Sequence, residues 1–138
     1  MTTKILLADD HELFLEGLAE LMKKKPDIEL IGRAKDGTEA ISQAVNLKPD
    51  IILLDITMPE LSGIKALKQI LPKVPTVKAI MLSMYNSREL IVESLRAGAV
   101  GYILKECTSD ELYESIKTVM MGNFYIARSS LEVLVEDY

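Results

Sequence analysis

Short apolar runs alternate with stretches of helical periodicity along most of this chain, and this alternation restricts the possible folds more than any other feature. The run Ile-Ile-Leu-Leu at 51–54 contains no polar residue, which is typical of a central parallel strand covered on both faces. Strands that alternate with helices predict a parallel sheet with helices on both faces and right-handed connections. The five predicted strands are 5–8, 28–31, 51–54, 77–82 and 102–104.

Three prolines mark the junctions between helices and strands. Pro26, Pro49 and Pro72 stand 23 residues apart. Proline ends a helix and biases the preceding residue toward extended backbone, so each one predicts the passage from a helix into the next strand. Apolar residues at helical spacing predict helices near 13–22, 40–45, 64–71, 87–97 and 112–120.

Composition excludes several classes of function. A chain of 138 residues is long enough for one domain. The 16 basic and 21 acidic side chains give a net charge of −5, which disfavours direct binding to nucleic acid. A single cysteine excludes an internal disulfide and a cysteine zinc cluster. Nothing resembles a signal peptide, and no apolar run approaches the roughly 20 residues that cross a bilayer. We therefore expect a cytoplasmic protein that is not inserted in a membrane.

Polar side chains follow the predicted strands at the edge of the sheet where chemistry gathers in open α/β folds. Asp9 and Asp10 follow the first strand, Asp55 the third, Ser83 ends the fourth and Lys105 follows the fifth. In a flavodoxin-like sheet with strand order 2-1-3-4-5, the first and third strands are neighbours. That order would bring the three aspartates together.

Three carboxylates in one pocket repel each other, so a cation is expected among them. Hard oxygen ligands suit Mg²⁺, which binds few protein ligands and keeps several waters. Such a pocket could receive a phosphoryl group, with Asp55 as the nucleophile. Lys105 would neutralise the incoming oxygens, and the hydroxyl of Ser83 could donate a hydrogen bond to one of them.

Four segments carry a resemblance to a known family. They are Leu-Leu-Ala-Asp-Asp-His at 6–11, Leu-Leu-Asp-Ile-Thr-Met-Pro at 53–59 with Gly63, Met-Leu-Ser-Met-Tyr at 81–85, and Ala-Gly-Ala-Val-Gly-Tyr-Ile-Leu-Lys at 97–105. In order and spacing they resemble the receiver domain of bacterial two-component response regulators, of the NarL/FixJ type with LuxR-type output. The resemblance implies a CheY-like fold.

The resemblance also implies roles for single residues. Asp55 would be the phosphoacceptor. Asp10, Asp55 and the backbone carbonyl of Thr57 would bind Mg²⁺, with Asp9 acting largely through water. Lys105 and Ser83 would contact the phosphoryl group.

Two further roles follow from the same resemblance. Tyr102 would be the switch aromatic whose rotamer follows the state of Ser83, and the loop after the acceptor would be shaped by Pro59 and Gly63. The lifetime of the phosphorylated state would be tuned by Thr57, Met84 and Tyr85.

The expected function is therefore a phosphorylation-activated signalling switch and not an enzyme. Its partner would be a sensor histidine kinase. A homodimer could form on phosphorylation, through either the fourth-helix face or the first and last helices. Residues 1–121 are expected to form the receiver domain, and residues 122–138 a linker or short helix leading toward an output domain absent from this chain. DNA would be bound only through that output domain.

Three other functions fit less well. A haloacid-dehalogenase-like phosphohydrolase needs a second aspartate two residues after its nucleophile, where this chain has Thr57. A nucleotide- or flavin-binding fold is disfavoured because Gly32 and Gly37 are not followed by Lys-Thr and no G-x-G-x-x-G occurs. A degenerate receiver that signals without phosphate is disfavoured by the intact set of strand-end residues.

Two residues and one helix have uses that the motifs above do not settle. His11 could be a phosphohistidine or a metal ligand, but a polar surface residue is the favoured interpretation. Cys107 is expected to be an ordinary loop thiol. The helix near 87–97 has apolar residues on more than one face, so it either packs deeply or also meets a partner.

Overall fold

Six parallel strands form the central sheet of this computed structural model, which describes residues 2–136 of the chain. Met1, Asp137 and Tyr138 lie outside the described residues, so the predicted C-terminal segment is seen as far as residue 136. The strands are β1 (Thr3–Ala8), β2 (Ile28–Ala34), β3 (Ile51–Asp55), β4 (Lys78–Ser83), β5 (Gly101–Leu104) and β6 (Tyr125–Ile126). The helices are α1 (Glu12–Lys24), α2 (Gly37–Leu47), α3 (Gly63–Ile70), α4 (Arg88–Arg96), α5 (Ser109–Met120) and α6 (Arg128–Val135).

The order of the strands confirms the predicted flavodoxin-like topology. The sheet reads β2-β1-β3-β4-β5-β6, so the predicted order 2-1-3-4-5 is present and one short strand extends it. Strand β6 pairs with β5 through Gly101–Tyr125 and Tyr102–Ile126. Two residues are too few to show strand periodicity, so this strand cannot be predicted from the sequence pattern.

Helices α2, α3, α4 and α5 each begin at a capping side chain that accepts a hydrogen bond from the amide three residues onward. Each such cap satisfies one of the amides that have no partner in the first helical turn. The capping residues are Asp36, Ser62, Ser87 and Thr108.

Alternation along the strands builds two hydrophobic layers, one on each face of the sheet. Leu6, Ile52 and Leu54 point into the layer covered by α2, α3 and α4. Leu7 and Leu53 point to the opposite layer, covered by α1 and α5. All five residues of β3 are buried, as expected for a central strand.

The last segment packs back onto the domain. The amide of Ala127 donates to the carbonyl of Tyr102 at 2.9 Å. Ser130 is fully buried, and its hydroxyl contacts the side-chain oxygen of Asn86, in the loop before α4. Helix α6 therefore lies beside α4.

Ile91 of α4 is fully buried in the core. In α4 only Ile91 and Ser94 are buried, whereas Leu90, Val92 and Leu95 are partly exposed, so the structure does not decide between the two interpretations of the helix near 87–97.

Within residues 2–136, no helix has the length and apolar character needed to cross a membrane.

Candidate functional site

The carboxyl ends of three strands bring two carboxylates and one lysine together. Asp9 follows β1, Asp55 ends β3 and Lys105 follows β5. The Nζ of Lys105 lies 3.0 Å from Oδ1 of Asp9 and 2.8 Å from Oδ2 of Asp55. All three side chains are buried. One ammonium group thus serves two carboxylates in a region of low dielectric, where ionic interactions are strong.

Burial and the positive charge of Lys105 shift the pKa of the Asp55 carboxyl in opposite directions. Loss of hydration raises the pKa of the Asp55 carboxyl above its usual value, and the neighbouring Asp9 carboxylate raises it further. The hydrogen bond and positive charge of Lys105 lower this pKa, as does the amide of Thr57, which donates to Oδ1 at 3.0 Å. Both oxygens of the carboxylate are therefore held by donors.

Asp10 and His11 complete the rim of the pocket. The Asp10 side chain is 44% exposed, as expected for a group that could meet a ligand from solvent. The Nδ1 atom of His11 lies 2.9 Å from Oδ1 of Asp9, 3.4 Å from Oδ1 of Asp10 and 3.7 Å from Oδ2 of Asp55. It also contacts Nζ of Lys105. The ring is 56% exposed, as a polar surface residue would be, but its contacts with the pocket go beyond the surface role that the sequence favours for His11.

The donor set fits a hard divalent cation. Single ligand atoms of Asp9, Asp10, His11 and Asp55 all lie within 4.8 Å of one another. Among the described residues, Oδ2 of Asp9 is buried without a hydrogen-bond partner. A buried carboxylate oxygen without a donor is costly unless a cation or ordered water satisfies it. This atom and the three aspartates together support a cation site here.

Ser83, Tyr85 and Tyr102 are joined through one backbone carbonyl. The Ser83 hydroxyl donates to the carbonyl of Tyr85 at 3.0 Å and accepts from the amide of Tyr85 at the same distance. The Tyr102 hydroxyl donates to the same carbonyl at 2.7 Å. Tyr102 is fully buried, and this burial raises the pKa of its phenol. The inward position of Tyr102 is thus coupled to the loop that begins at Ser83.

The loop after Asp55 depends on Gly63. The Gly63 amide donates to the carbonyl of Ile56 at 2.9 Å. A Cβ atom at position 63 would lie 2.1 Å from the carbonyl oxygen of Asp55, well inside van der Waals contact. Only glycine lets α3 begin this close to the end of β3, which holds the Asp55 backbone in place.

A cavity of about 350 Å³ adjoins the pocket, between the start of α1 and the loop after β5. Leu13, Phe14, Met84 and Cys107 are among its lining residues. Burial and the charge of Glu111 raise the pKa of the Cys107 thiol to about 11, so the thiol is protonated at neutral pH. This agrees with the prediction of an ordinary loop thiol.

Fold and site together define the chain as a flavodoxin-like domain with an acidic pocket at the point where β1 and β3 diverge. Residues 5–117 match the family described as the response regulator receiver domain, and the chain belongs to this family. The resemblance stated above is confirmed, and the haloacid-dehalogenase alternative is not favoured.

Two curated relatives are transcriptional regulators. The transcriptional regulatory protein DegU of Brevibacillus brevis is 34% identical over 135 residues, which is 98% of this chain and 57% of that protein. The transcriptional regulatory protein LnrK of Bacillus subtilis is 37% identical over 123 residues, 89% of this chain and 56% of that protein. The chain thus spans a little over half the length of these relatives.

A solved structure shares the fold over nearly the whole chain. It is a two-component response regulator of the LuxR family from Aurantimonas sp. SI85-9A1, with a TM-score of 0.92 and 26% identity. The match covers 99% of this chain and 98% of that one. Its coverage includes the segment that contains β6 and α6.

Proposed function

We propose that this chain is a phosphorylation-driven switch in which Asp55 accepts a phosphoryl group from a sensor histidine kinase. The observation that carries the proposal is the bridge that Lys105 forms between Asp55 and Asp9. The bridge keeps a positive charge at the carboxylate that would react. The chain would act as a signalling protein and not as a turnover enzyme.

The transfer step uses the Asp55 carboxylate as a nucleophile. One carboxylate oxygen forms a bond to phosphorus, the phosphorus–nitrogen bond of the kinase phosphohistidine breaks, and its electron pair returns to the imidazole, which takes a proton from solvent. The carboxylate must be ionised to attack. Lys105 supports ionisation by lowering the carboxyl pKa against the effect of burial. The same ammonium can then accompany the negative charge that the phosphoryl oxygens bring.

The pocket would use Mg²⁺ as its cofactor. Asp10, Asp55 and the backbone carbonyl of Thr57 would hold the ion, with Asp9 acting through water, and the ion would neutralise charge on the phosphoryl oxygens. The buried, unpartnered Oδ2 of Asp9 supports this assignment, because a bound water or cation would satisfy it.

The switch would begin at Ser83. An aspartyl phosphate adds negative charge and acceptor oxygens at Asp55, and the Ser83 hydroxyl would exchange its bonds to the Tyr85 backbone for a bond to the phosphoryl group. Tyr102 shares the Tyr85 carbonyl as its acceptor, so its environment would change in the same event. The phosphoryl lifetime would depend on side chains at the mouth of the pocket, namely Thr57, Met84 and Tyr85.

The surrounding assembly is proposed from the relatives. DegU and LnrK are called transcriptional regulatory proteins, which supports control of a DNA-binding output domain by a receiver domain at 1–121. The segment 122–138 would connect the two domains, and phosphorylation would promote a homodimer. Transfer from a kinase that uses ATP would take place in the cytoplasm, which is the location we propose.

Phosphorylation of a single residue tests this proposal. After incubation with acetyl phosphate and Mg²⁺, intact-mass spectrometry should show an adduct of about 80 Da, the mass of one phosphoryl group. Asp55→Asn should abolish the adduct. Asp36→Asn is the matched control, because Asp36 also follows a strand but caps α2, and it should keep the adduct.

Equal labelling of Asp55→Asn and the parent protein would contradict the assignment of the acceptor. Steady hydrolysis of a generic phosphomonoester by the purified protein would instead favour the phosphohydrolase alternative.

A further inference from the structure

Helix α6 is attached at two points to the residues around the Tyr85 carbonyl. The first is the hydrogen bond from the amide of Ala127, the N-cap of α6, to the carbonyl of Tyr102. The second is the fully buried hydroxyl of Ser130, which donates to the side-chain oxygen of Asn86. Asn86 directly follows Tyr85, whose carbonyl accepts the hydroxyl of Tyr102. The helix therefore contacts both segments that this carbonyl joins.

The loop between β4 and α4 is short enough to transmit a movement to α6. It consists of residues 84–87, and Ser83 is the last residue of β4. Ser87 is held as the capping residue of α4. A shift of the backbone at Tyr85 is therefore taken up at Asn86, because no other residue lies between Tyr85 and the cap.

The docked position of α6 depends on a narrow contact. Of its eight residues Ser130 is buried, whereas Val133 and Leu134 are half-buried against the core. The N-cap residue, Ala127, provides no side-chain hydrogen bond. A helix this short is marginal in water without packing, so a helix that leaves the domain would also unfold. Elements with so few buried contacts are the ones that open most easily.

We propose that docked α6 opposes phosphorylation of Asp55, and that it leaves α4 when Asp55 is phosphorylated. The inference rests on the proposed function, because its trigger is the step in which Ser83 exchanges the Tyr85 backbone for the phosphoryl group. That step displaces the loop and separates Asn86 from Ser130. A buried hydroxyl without a partner is costly, so the docked position of α6 becomes less favourable.

This coupling acts equally in both directions. If a group bound to Asp55 favours release of α6 by some factor, release of α6 favours binding of that group by the same factor. Beryllofluoride binds a carboxylate as a mimic of the phosphoryl group, so in the presence of Mg²⁺ it turns the comparison into an equilibrium measurement. Two independent experiments should then give the same factor.

Hydrogen exchange of the α6 amides gives the first value. The amides of residues 131–135 should be protected in the parent protein. At saturating beryllofluoride their protection should fall by about 5-fold or more, which is the lower end of the usual coupling between two sites. The amides of α2, which packs beside the opposite edge strand β2, are the internal reference and should keep their protection.

The affinity of a variant for beryllofluoride gives the second value. Ser130→Arg places a long charged side chain at the buried position and should release α6. It should bind beryllofluoride more tightly than the parent protein, by the factor that hydrogen exchange gives. Ser129→Arg is the matched control, because it makes the same change at the neighbouring exposed serine, and it should bind like the parent protein. Amide resonances next to Asp55 report the affinity in NMR titrations.

Asn86→Ala tests the link to the loop without changing α6. Asn86 is exposed apart from its contact with Ser130, so alanine there should leave the fold intact. The variant lacks the acceptor of the Ser130 hydroxyl, which weakens docking of α6. It should therefore bind beryllofluoride more tightly than the parent protein and show faster exchange in α6.

The inference is overturned if beryllofluoride binds and α6 stays as protected as before, or if Ser130→Arg and Ser129→Arg bind it equally. If Ser130→Arg does not fold, Asn86→Ala decides, and an affinity equal to that of the parent protein overturns the inference. Failure of the proposed function is recognised separately. It would appear as a parent protein that neither binds beryllofluoride nor is labelled at Asp55, a result that removes the trigger and overturns the coupling as well.

Discussion

Lys105 and Asp55 form a buried ion pair, with 2.8 Å between Nζ and Oδ2, across 50 residues of chain. The same ammonium lies 3.0 Å from Asp9, so the pocket contains more buried negative than positive charge. Breaking such a pair by removing one partner generally costs about 3–5 kcal/mol. The excess of buried negative charge favours binding of a further cation and makes the metal-free domain less stable.

Asp55→Asn should change how stability depends on pH. Burial raises the pKa of Asp55 above 3.8 in the folded state, so the folded protein keeps this proton to higher pH than the unfolded chain does. The contribution of Asp55 to stability therefore falls as pH rises above 3.8 toward the folded-state value. Asparagine cannot ionise, so the stability of Asp55→Asn relative to the parent protein should increase from pH 4 to pH 7. Urea unfolding in buffer with a chelator measures this, and a difference that is constant with pH would contradict the expectation.

Gly63→Ala should destabilise the domain by more than about 2 kcal/mol, because the new Cβ atom would collide with the backbone of Asp55. Gly17→Ala is the matched control. A Cβ atom at position 17 meets nothing within 4 Å, and the residue is exposed within α1, so alanine should stabilise by about 0.5–1 kcal/mol. Thermal and urea unfolding of the two variants should thus move in opposite directions. Similar stabilities for both variants would show that the loop after β3 can relax.

Lys117→Met should weaken the contact between α5 and the start of β2. Lys117 and Tyr113 both donate to Oδ2 of Asp27, at 2.8 and 2.7 Å, and they lower the pKa of Asp27 to about 2. A lowered pKa stabilises the fold above pH 3.8 and the effect is lost as pH falls toward 2. The variant should therefore be less stable at pH 7 and match the parent protein near pH 2, and high salt should reduce the difference because the pair is exposed. A deficit of equal size at pH 2 would point to lost packing instead.

Tyr85→Ala should shorten the lifetime of phosphorylated protein without preventing phosphorylation. The Tyr85 side chain is 64% exposed beside the pocket, so alanine opens a path for water while the backbone carbonyl remains. We expect decay to be roughly 2- to 10-fold faster, or about 0.4–1.4 kcal/mol in the barrier. Loss of the phosphoryl adduct over time, followed by mass spectrometry, measures this. Met121→Ala, an exposed change at the far end of α5, should decay like the parent protein, and equal rates for all three proteins would refute the role of Tyr85.

Most of the fold was predictable from the sequence because hydrophobic alternation and helix caps act over a few residues. Boundaries were less predictable. Strand β2 continues through Ala34, beyond the predicted 28–31, because Gly32 and Arg33 are extended by pairing with β1 and not by their own apolar character. Strand β6 exists only because Gly101 and Tyr102 offer it a partner.

The residues of the site that lie at strand ends were predictable from the sequence. Asp9, Asp55 and Lys105 meet because parallel strands present their carboxyl ends at one edge of the sheet. The contacts of His11 depend on a ring orientation, which no periodic pattern encodes. Its position directly after the acidic pair was the only signal. The bond between Ser83 and the Tyr85 backbone likewise depends on a local turn.

Strand β6 also affects which surfaces can associate. Strand β5 has only four residues, and an open edge there would invite an extended peptide to add to the sheet. Amides of Tyr125 and Ala127 already bond to the carbonyls of Val100 and Tyr102. The edge that remains is two residues long, too short to guide another chain into register. A short closing strand of this kind therefore disfavours strand addition at this edge of the sheet.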